Sequence, residues 1–249
     1  MEIGMSYWFG FPSFPEERAT LIKQAGFTNV ALHWTNEYES ITGDRYTIPR
    51  ILEKKDIKIS SLHLSYERSH FLWNPGQEGI NYRQDIHQAI DDASSLGIRV
   101  VVMHSDGVIS DEFEIMKTLQ ELFEYASKKN VFLCVENLQH EDNLKRIFEK
   151  EFFRNIPVCY DLGHANIRNS QIECNGNKNI RYFHIHDNDG IHDIHGLPFS
   201  GTIDWEDKVA MLANYREIPK ILEVHGNINN HKCAEEYLFM AKRVALAFQ

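Results

Sequence analysis

Apolar runs of strand length alternate along this chain with amphipathic segments of helix length, the pattern of repeated strand-helix units feeding a parallel sheet. Strands are expected near residues 2–6, 29–33, 58–64, 100–105, 132–137, 157–162, 182–187 and 221–225. Helices are expected over 16–24, 48–54, 82–96, 111–128, 142–152, 205–214 and 234–247. Turn chemistry agrees with several of these boundaries. Ala25-Gly26 and Leu96-Gly97 can close the first and third helices, Ser110 can cap the fourth with Phe113 opening its apolar stripe, and Pro219 stands where it could open the last strand. No linker or low-complexity tract interrupts the rhythm. Eight units in 249 residues match a (β/α)8 TIM barrel, α/β in class and occupying 1–249 as a single domain, with its site at the C-terminal strand ends. An open doubly wound sheet of six strands is the alternative architecture.

Side chains two apart on a strand share a face, so the inward register can be followed strand by strand. Ile59, Ser61 and His63 share a face in the third strand, Val100, Val102 and His104 in the fourth, and Phe132, Cys134 and Glu136 in the fifth. The sixth offers Cys159 and Asp161, the seventh Tyr182, His184 and His186, and the eighth Ile221 and Glu223. Short or apolar residues lie deep, and each register ends in His, Asp or Glu. A lone strand histidine is ordinarily a hydrogen-bonded core or rim residue. Six such residues reaching one level of a closed barrel are another matter, because carboxylates crowded in a low-dielectric pocket take up protons unless cations neutralise them. A divalent metal centre is the expectation.

Composition narrows the chemistry. Asp plus Glu outnumber Lys plus Arg by 36 to 26, a formal charge of −10 that opposes a phosphate-tracking nucleic-acid surface and suits a small substrate. The loops HSDGVISDE and HDNDGIHD are themselves acidic, so no nucleic-acid partner is expected. No run approaches the roughly 18 apolar residues of a membrane span. The start, MEIGMSYWFGF, lacks a basic flank, so a cytoplasmic location with no membrane partner is expected. Cys134, Cys159, Cys174 and Cys233 form no CxxC pair, and the first two read as small barrel filler.

The stretches SLHLS at 61–65, VVMHS at 101–105, VENL at 135–138, VCYDLGHAN at 158–166, HIHDNDGIHDIHGLPFSGTIDW at 184–205 and ILEVHG at 221–226 carry a resemblance over essentially the whole chain. Together they resemble the xylose isomerase-like barrel superfamily, which holds sugar isomerases and epimerases alongside the endonuclease IV enzymes. The long motif from 184 is similar to the sugar phosphate isomerase and epimerase group. The isomerases and epimerases of that superfamily bind one divalent ion with Glu, Asp, His and Glu from strands five to eight, which the resemblance places on Glu136, Asp161, His186 and Glu223. Endonuclease IV members bind three zinc ions and add residues matched here by His63, His104, His164, Asp193 and His195. The resemblance therefore implies two or three ions, Zn2+ or Mn2+, held by all nine.

The activity so implied is carbohydrate isomerisation or epimerisation of a sugar or sugar phosphate, with Glu136 and Glu223 moving the proton. A trinuclear zinc phosphoesterase resembling endonuclease IV is the alternative, and a catalytically silent binding barrel a third. Trp8 and Trp34, with Phe9 and Tyr66, are candidates to stack on a sugar ring, barrel-mouth packing being the plainer alternative. Asn137 and Asn188 are candidate substrate hydrogen bonders. His33, His192 and His225 are expected at the rim or behind the ligands. His70, His87, His140 and His231 receive no role, and a homo-oligomer is compatible with the sequence.

Overall fold

A computed structural model describes residues 2–107, 112–138, 147, 151–168, 174, 176–226, 231 and 233–248. Eight parallel strands close into a barrel in sequence order: β1 (Ile3–Ser6), β2 (Asn29–His33), β3 (Lys58–His63), β4 (Val100–Met103), β5 (Phe132–Glu136), β6 (Val158–Asp161), β7 (Ile180–Ile185) and β8 (Lys220–Leu222). Closure is made by β8 on β1, with Ile3 opposite Lys220 and Met5 opposite Leu222. The open six-strand sheet is thereby excluded.

Around the barrel run α1 (Pro15–Gln24), α2 (Glu39–Thr42), α3 (Ile48–Lys54), α4 (Gln77–Ser95), α5 (Glu112–Lys128), α6 (Leu162–Arg168), α7 (Trp205–Ala213) and α8 (Ala234–Ala247). The expected helix at 142–152 and the Ser110 cap lie almost wholly outside the described residues. Helix α6 was not foreseen. It follows β6 without a loop, and so short a helix carries too little of the 3.6-residue rhythm to be read from sequence. Pro219 does precede the last strand, where its carbonyl still accepts from the Phe183 amide at 3.1 Å.

Alternation divides the apolar residues into two bodies. Ala31, Val100, Val102, Cys134, Cys159, Tyr182 and Ile221 fill the barrel interior, whereas the outward-facing residues form the larger shell between strands and helices. Inside, the Tyr182 hydroxyl is bonded to Ser61 Oγ at 2.8 Å, so a tyrosine fills the barrel without an orphaned polar group. Irregularities in the ladder adjust the register. Between Val158 and Cys159 the pairing with β7 skips Arg181, which brings Asp161 opposite His184. That skip positions the site.

Candidate metal centre

The interior filling supports a floor of ionisable groups at the strand ends. Glu136, ending β5, is wholly buried. Its Oε2 lies 3.1 Å from His63 Nε2 and 3.0 Å from His104 Nε2, and its Oε1 lies 2.9 Å from His184 Nδ1. The same His184 nitrogen stands 2.9 Å from Glu223 Oε2 and 3.8 Å from Asp161 Oδ2. Five overlapping donor groups result among the described residues, each with its atoms within 4.8 Å of one another: His63, His104 and Glu136; His63, His184 and Glu223; Glu136, Cys159 and His184; Glu136, Asp161, His184 and Glu223; and His164, His186, Asp193 and His195.

All nine residues expected as ligands therefore occur in these groups, but they are divided differently. His184, singled out in the sequence only as an inward-facing residue, stands between Glu136 and Glu223, and His186 Nε2 lies 3.1 Å from Asp161 Oδ1 of the same ring. His186 lies two residues further along, beyond the end of β7, and meets Asp193 and His195 from the following loop. Both histidines point inward by alternation. The Arg181 skip and the end of the strand set which ring residues each one meets, Glu136 and Glu223 for His184 and Asp161 for His186.

Several imidazoles have their tautomer set from behind. His63 Nδ1 donates to the Leu64 carbonyl at 2.9 Å, His164 Nδ1 to Asn137 at 2.9 Å, and His195 Nδ1 to Glu223 at 2.8 Å. A carbonyl can only accept, so each Nδ1 carries the proton and each Nε2 is turned inward. Those Nε2 atoms face carboxylate oxygens at 3.1 to 3.3 Å. Two acceptors at that separation repel unless a cation, whether proton or metal ion, lies between them. Asp161 Oδ2 is likewise buried without a hydrogen-bond partner among the described residues. The donor set fits a divalent ion.

Without metal, protons take that role. Burial alone would discharge these groups, but the opposite charges prevail. His104 is pushed up to about 9, burial being outweighed by Glu136 and Asp106. His195 is pushed up to about 9 against burial by Asp193 and Glu223. Despite burial, Glu136 is held well below the usual carboxylate range by His184 and His104, and Glu223 by His184. His33 and His225 go the other way, to about 3 and about 4, through burial and neighbouring histidines. These two imidazoles are neutral at pH 7.

A cleft of about 400 Å³ opens over this floor, within the range of small-molecule pockets, with His33, His225, Tyr38 and Tyr66 in its walls. None of the four expected substrate contacts lines it. Trp34 follows the last residue of β2 with opposite parity, so it points outward and donates from Nε1 to Asp92 on α4 at 2.8 Å. Trp8 lies against the Arg18 guanidinium. Asn137 spends its side chain on the backbone of Asp161, donating to the carbonyl at 2.9 Å and accepting from the amide at 2.7 Å. Asn188 donates to Gly163 O at 2.8 Å and accepts from Asn166 and Gly190. Both asparagine side chains are thus taken up within the fold. Phe9 is buried in the outer shell, and exposed Tyr66 is edge-on to His104. His192 is exposed and bonded to Asp189.

The loop after β7, which supplies Asp193 and His195, is secured by Asp187, a residue not singled out in the sequence. Its buried carboxylate accepts from Gly201 N at 2.9 Å, Ile203 N at 3.3 Å and Trp205 Nε1 at 2.7 Å, so it ties the end of β7 to the start of α7. His195 takes a left-handed backbone, φ 47°, and its carbonyl accepts from His225 N at 2.9 Å. A residue without glycine's freedom holds that conformation only when its surroundings over-determine it. Here the segment after β8 does so, through Glu223 O and His225 N.

A closed eight-stranded barrel with a ring of carboxylates and imidazoles at its C-terminal mouth defines an α/β barrel whose donor groups could hold metal ions. The chain belongs to the xylose isomerase-like TIM barrel family, which it matches over residues 19–243. It is 27% identical over 219 residues to y4fM, an uncharacterized protein of Sinorhizobium fredii. That match covers 79% of this chain and 66% of the relative, so the chain spans just under two thirds of the relative's length. A D-tagatose 3-epimerase-like protein has a similar fold, with a TM-score of 0.72 at 20% identity over 100% of this chain and 97% of that one. The 3-keto-D-glucoside 4-epimerase YcjR of E. coli gives 0.70 at 14% identity over 100% and 98%. Among the described residues no helix is long and apolar enough to cross a membrane.

Proposed function

We propose that the protein is a metal-dependent sugar or sugar phosphate isomerase or epimerase. The observation that carries this reading is the ring of Glu136, Asp161, His184 and Glu223 on the floor of a small-molecule cleft. It is supported by two proteins of similar fold, the D-tagatose 3-epimerase-like protein and the 3-keto-D-glucoside 4-epimerase YcjR. Zn2+ or Mn2+ in that ring, with the flanking groups bringing the number to two or three ions per chain, would stabilise negative charge on the oxygens of a hydroxy-carbonyl substrate. Glu223, 9% exposed, borders the cleft, and Glu136 lies across His184 from it. Both are ionised at neutral pH, the state a proton acceptor needs, and they stand on two sides of one site. His184 keeps the two carboxylates apart and oriented. His33 and His225, uncharged, offer hydrogen bonds to hydroxyl groups.

The test is proton exchange. Protein loaded with Mn2+ or Zn2+ is incubated in D2O with ketopentoses, ketohexoses and their phosphates, and NMR follows deuterium entering beside the carbonyl. Exchange by the native chain that disappears in Glu223→Gln is the expected result. No exchange with any member of the panel, at full metal occupancy, would overturn the proposal. One observation favours the phosphoesterase alternative: His63, His104 and Glu136 on one side of the ring, and His164, Asp193 and His195 on the other, coincide with the extra ligands that the endonuclease IV resemblance implies. Zinc-dependent hydrolysis of bis(p-nitrophenyl) phosphate without sugar exchange would decide for that reading.

A further inference from the structure

A further cavity, of about 480 Å³, opens at the opposite end of the barrel, where the strands begin. We propose that Arg99 and Arg181, on the wall of that cavity, form a binding site for a small phosphate monoester with an apolar body. The proposal stands apart from the reading of the upper cleft and uses none of its residues.

Strand order brings the two arginines together. Arg99 immediately precedes β4, Arg181 is the second residue of β7, and Phe132 opens β5 and packs on the interior filling of the barrel. The guanidinium carbon of Arg99 lies 5.2 Å from the centre of the Phe132 ring, and that of Arg181 lies 5.3 Å from it. One aromatic ring thus holds two cations, and like charges so placed repel until an anion joins them. Neither has a carboxylate partner. Among the described residues the ion pairs of lysine and arginine are Lys23–Asp56, Arg68–Asp85 and Lys129–Asp91. Glu124 is the one carboxylate among the described residues of the wall, and it accepts from Gln120 on its own helix at 2.9 Å. Arg181 is also fixed in direction. It is the residue that the β6–β7 ladder skips, an irregularity of the kind that re-aims a side chain. Its Nη1 donates to the Ile180 carbonyl at 3.0 Å and to the Lys178 carbonyl, which leaves Nε and Nη2 as a fork without an acceptor among the described residues.

The chemistry of the wall sets the ligand class. A guanidinium fork matches two oxygens of a phosphate, and two guanidiniums match its double charge. Ser127, Asn130 and Asn155 offer neutral hydrogen bonds to the remaining oxygen, while Phe123, Ile156 and Pro157 present apolar surface to an organic group. In a chain of formal charge −10, so local an excess of positive charge is not a by-product of composition. The upper cleft differs in kind, since no lysine or arginine occurs among its described lining residues. The two ends are held apart by β5, whose four residue steps from Phe132 to Glu136 span about 13 Å. An anion at the lower end therefore does not touch the metal donors.

The experiment treats the zinc-loaded chain with phenylglyoxal, which modifies arginine, and follows the peptide carrying Arg99 by mass spectrometry as phenyl phosphate is added. Arg99 and Arg50 are both exposed, so Arg50 serves as the reference. Millimolar phenyl phosphate is expected to slow modification of Arg99 at least about tenfold, as near-saturation of one site requires, and to leave Arg50 unchanged. Inorganic phosphate should protect with a midpoint at least about tenfold higher, because it leaves the apolar wall uncovered. Arg181→Lys keeps the charge and loses the fork, so the phenyl phosphate midpoint at Arg99 should rise at least about tenfold, the effect of one lost charge-assisted hydrogen bond. Glu223→Gln should leave that midpoint in place. No protection of Arg99 in the native chain, equal protection of Arg50, or an unchanged midpoint in Arg181→Lys would overturn the site, and the first two decide even if Arg181→Lys does not fold. Equal midpoints for the two phosphates would overturn the apolar part of the ligand, and a midpoint moved by Glu223→Gln would place the anion in the upper cleft instead.

Discussion

Replacing Asp187 by Asn tests the account of the β7 loop without altering any metal ligand. The native carboxylate receives Gly201 N and Trp205 Nε1 on Oδ2, and Asn188 N and Ile203 N on Oδ1. An asparagine keeps one oxygen and turns an NH2 toward one of these pairs, so two donors lose their acceptor whichever way the amide is set. Hydrogen bonds to a charged group contribute about 1.5 to 3 kcal/mol each. Gly201 is exposed and can turn to water, whereas Trp205 is buried at 5%. A loss of about 3 kcal/mol follows, and for a chain of this length each kcal/mol lowers Tm by about 2 to 4 °C. Calorimetry of metal-free protein should therefore show a fall of about 6 to 12 °C, against less than about 2 °C for Asp189→Asn in the exposed part of the same loop. Equal and small shifts in the two variants would show that Asp187 does not hold the loop.

Glu136→Gln and Glu223→Gln should each abolish sugar turnover while the barrel stays folded, since both lie at the end of the barrel that carries function and not stability. Activity within about tenfold of native in both, at metal saturation, removes their assignment. The metal-free chain should be most stable near pH 6.5, because the lowered pKa values of His33 and His225 make it lose stability as pH falls below about 6.5. The raised pKa values of His104 and His195 contribute stability that is present below about 6.5 and lost as pH rises through about 9, and the depressed carboxylates contribute stability lost on acidification below their usual range. Zinc should remove the alkaline loss by taking the place of the protons, so parallel pH profiles of Tm with and without metal would refute this account. The protein should not bind duplex DNA at physiological salt, given its charge of −10. Sub-micromolar affinity with a steep salt slope in an anisotropy titration would contradict that expectation.

Much of this was legible along the chain because a strand's alternation is local. His63, His104, Glu136, Asp161 and Glu223 stand at inward positions with small or apolar residues two places below them, and that period survives in the barrel. The rhythm of eight units was equally local, and closure follows from eight strands twisting in one sense. Other features depended on contacts between segments distant in sequence. His184 and His186 are identical in type and parity, and their different partners, Glu136 and Glu223 for the first and Asp161, Asp193 and His195 for the second, follow from a skipped residue opposite β6 and from the height at which β7 ends. Asn137 and Asn188 could have faced substrate until the backbones of Asp161 and Gly163 claimed them. Trp34 reads as a mouth aromatic until α4 brings Asp92 to its indole nitrogen. Sequence determines which face a side chain takes within its own strand, whereas the stagger between strands and the partner that arrives from elsewhere are set only when the barrel closes.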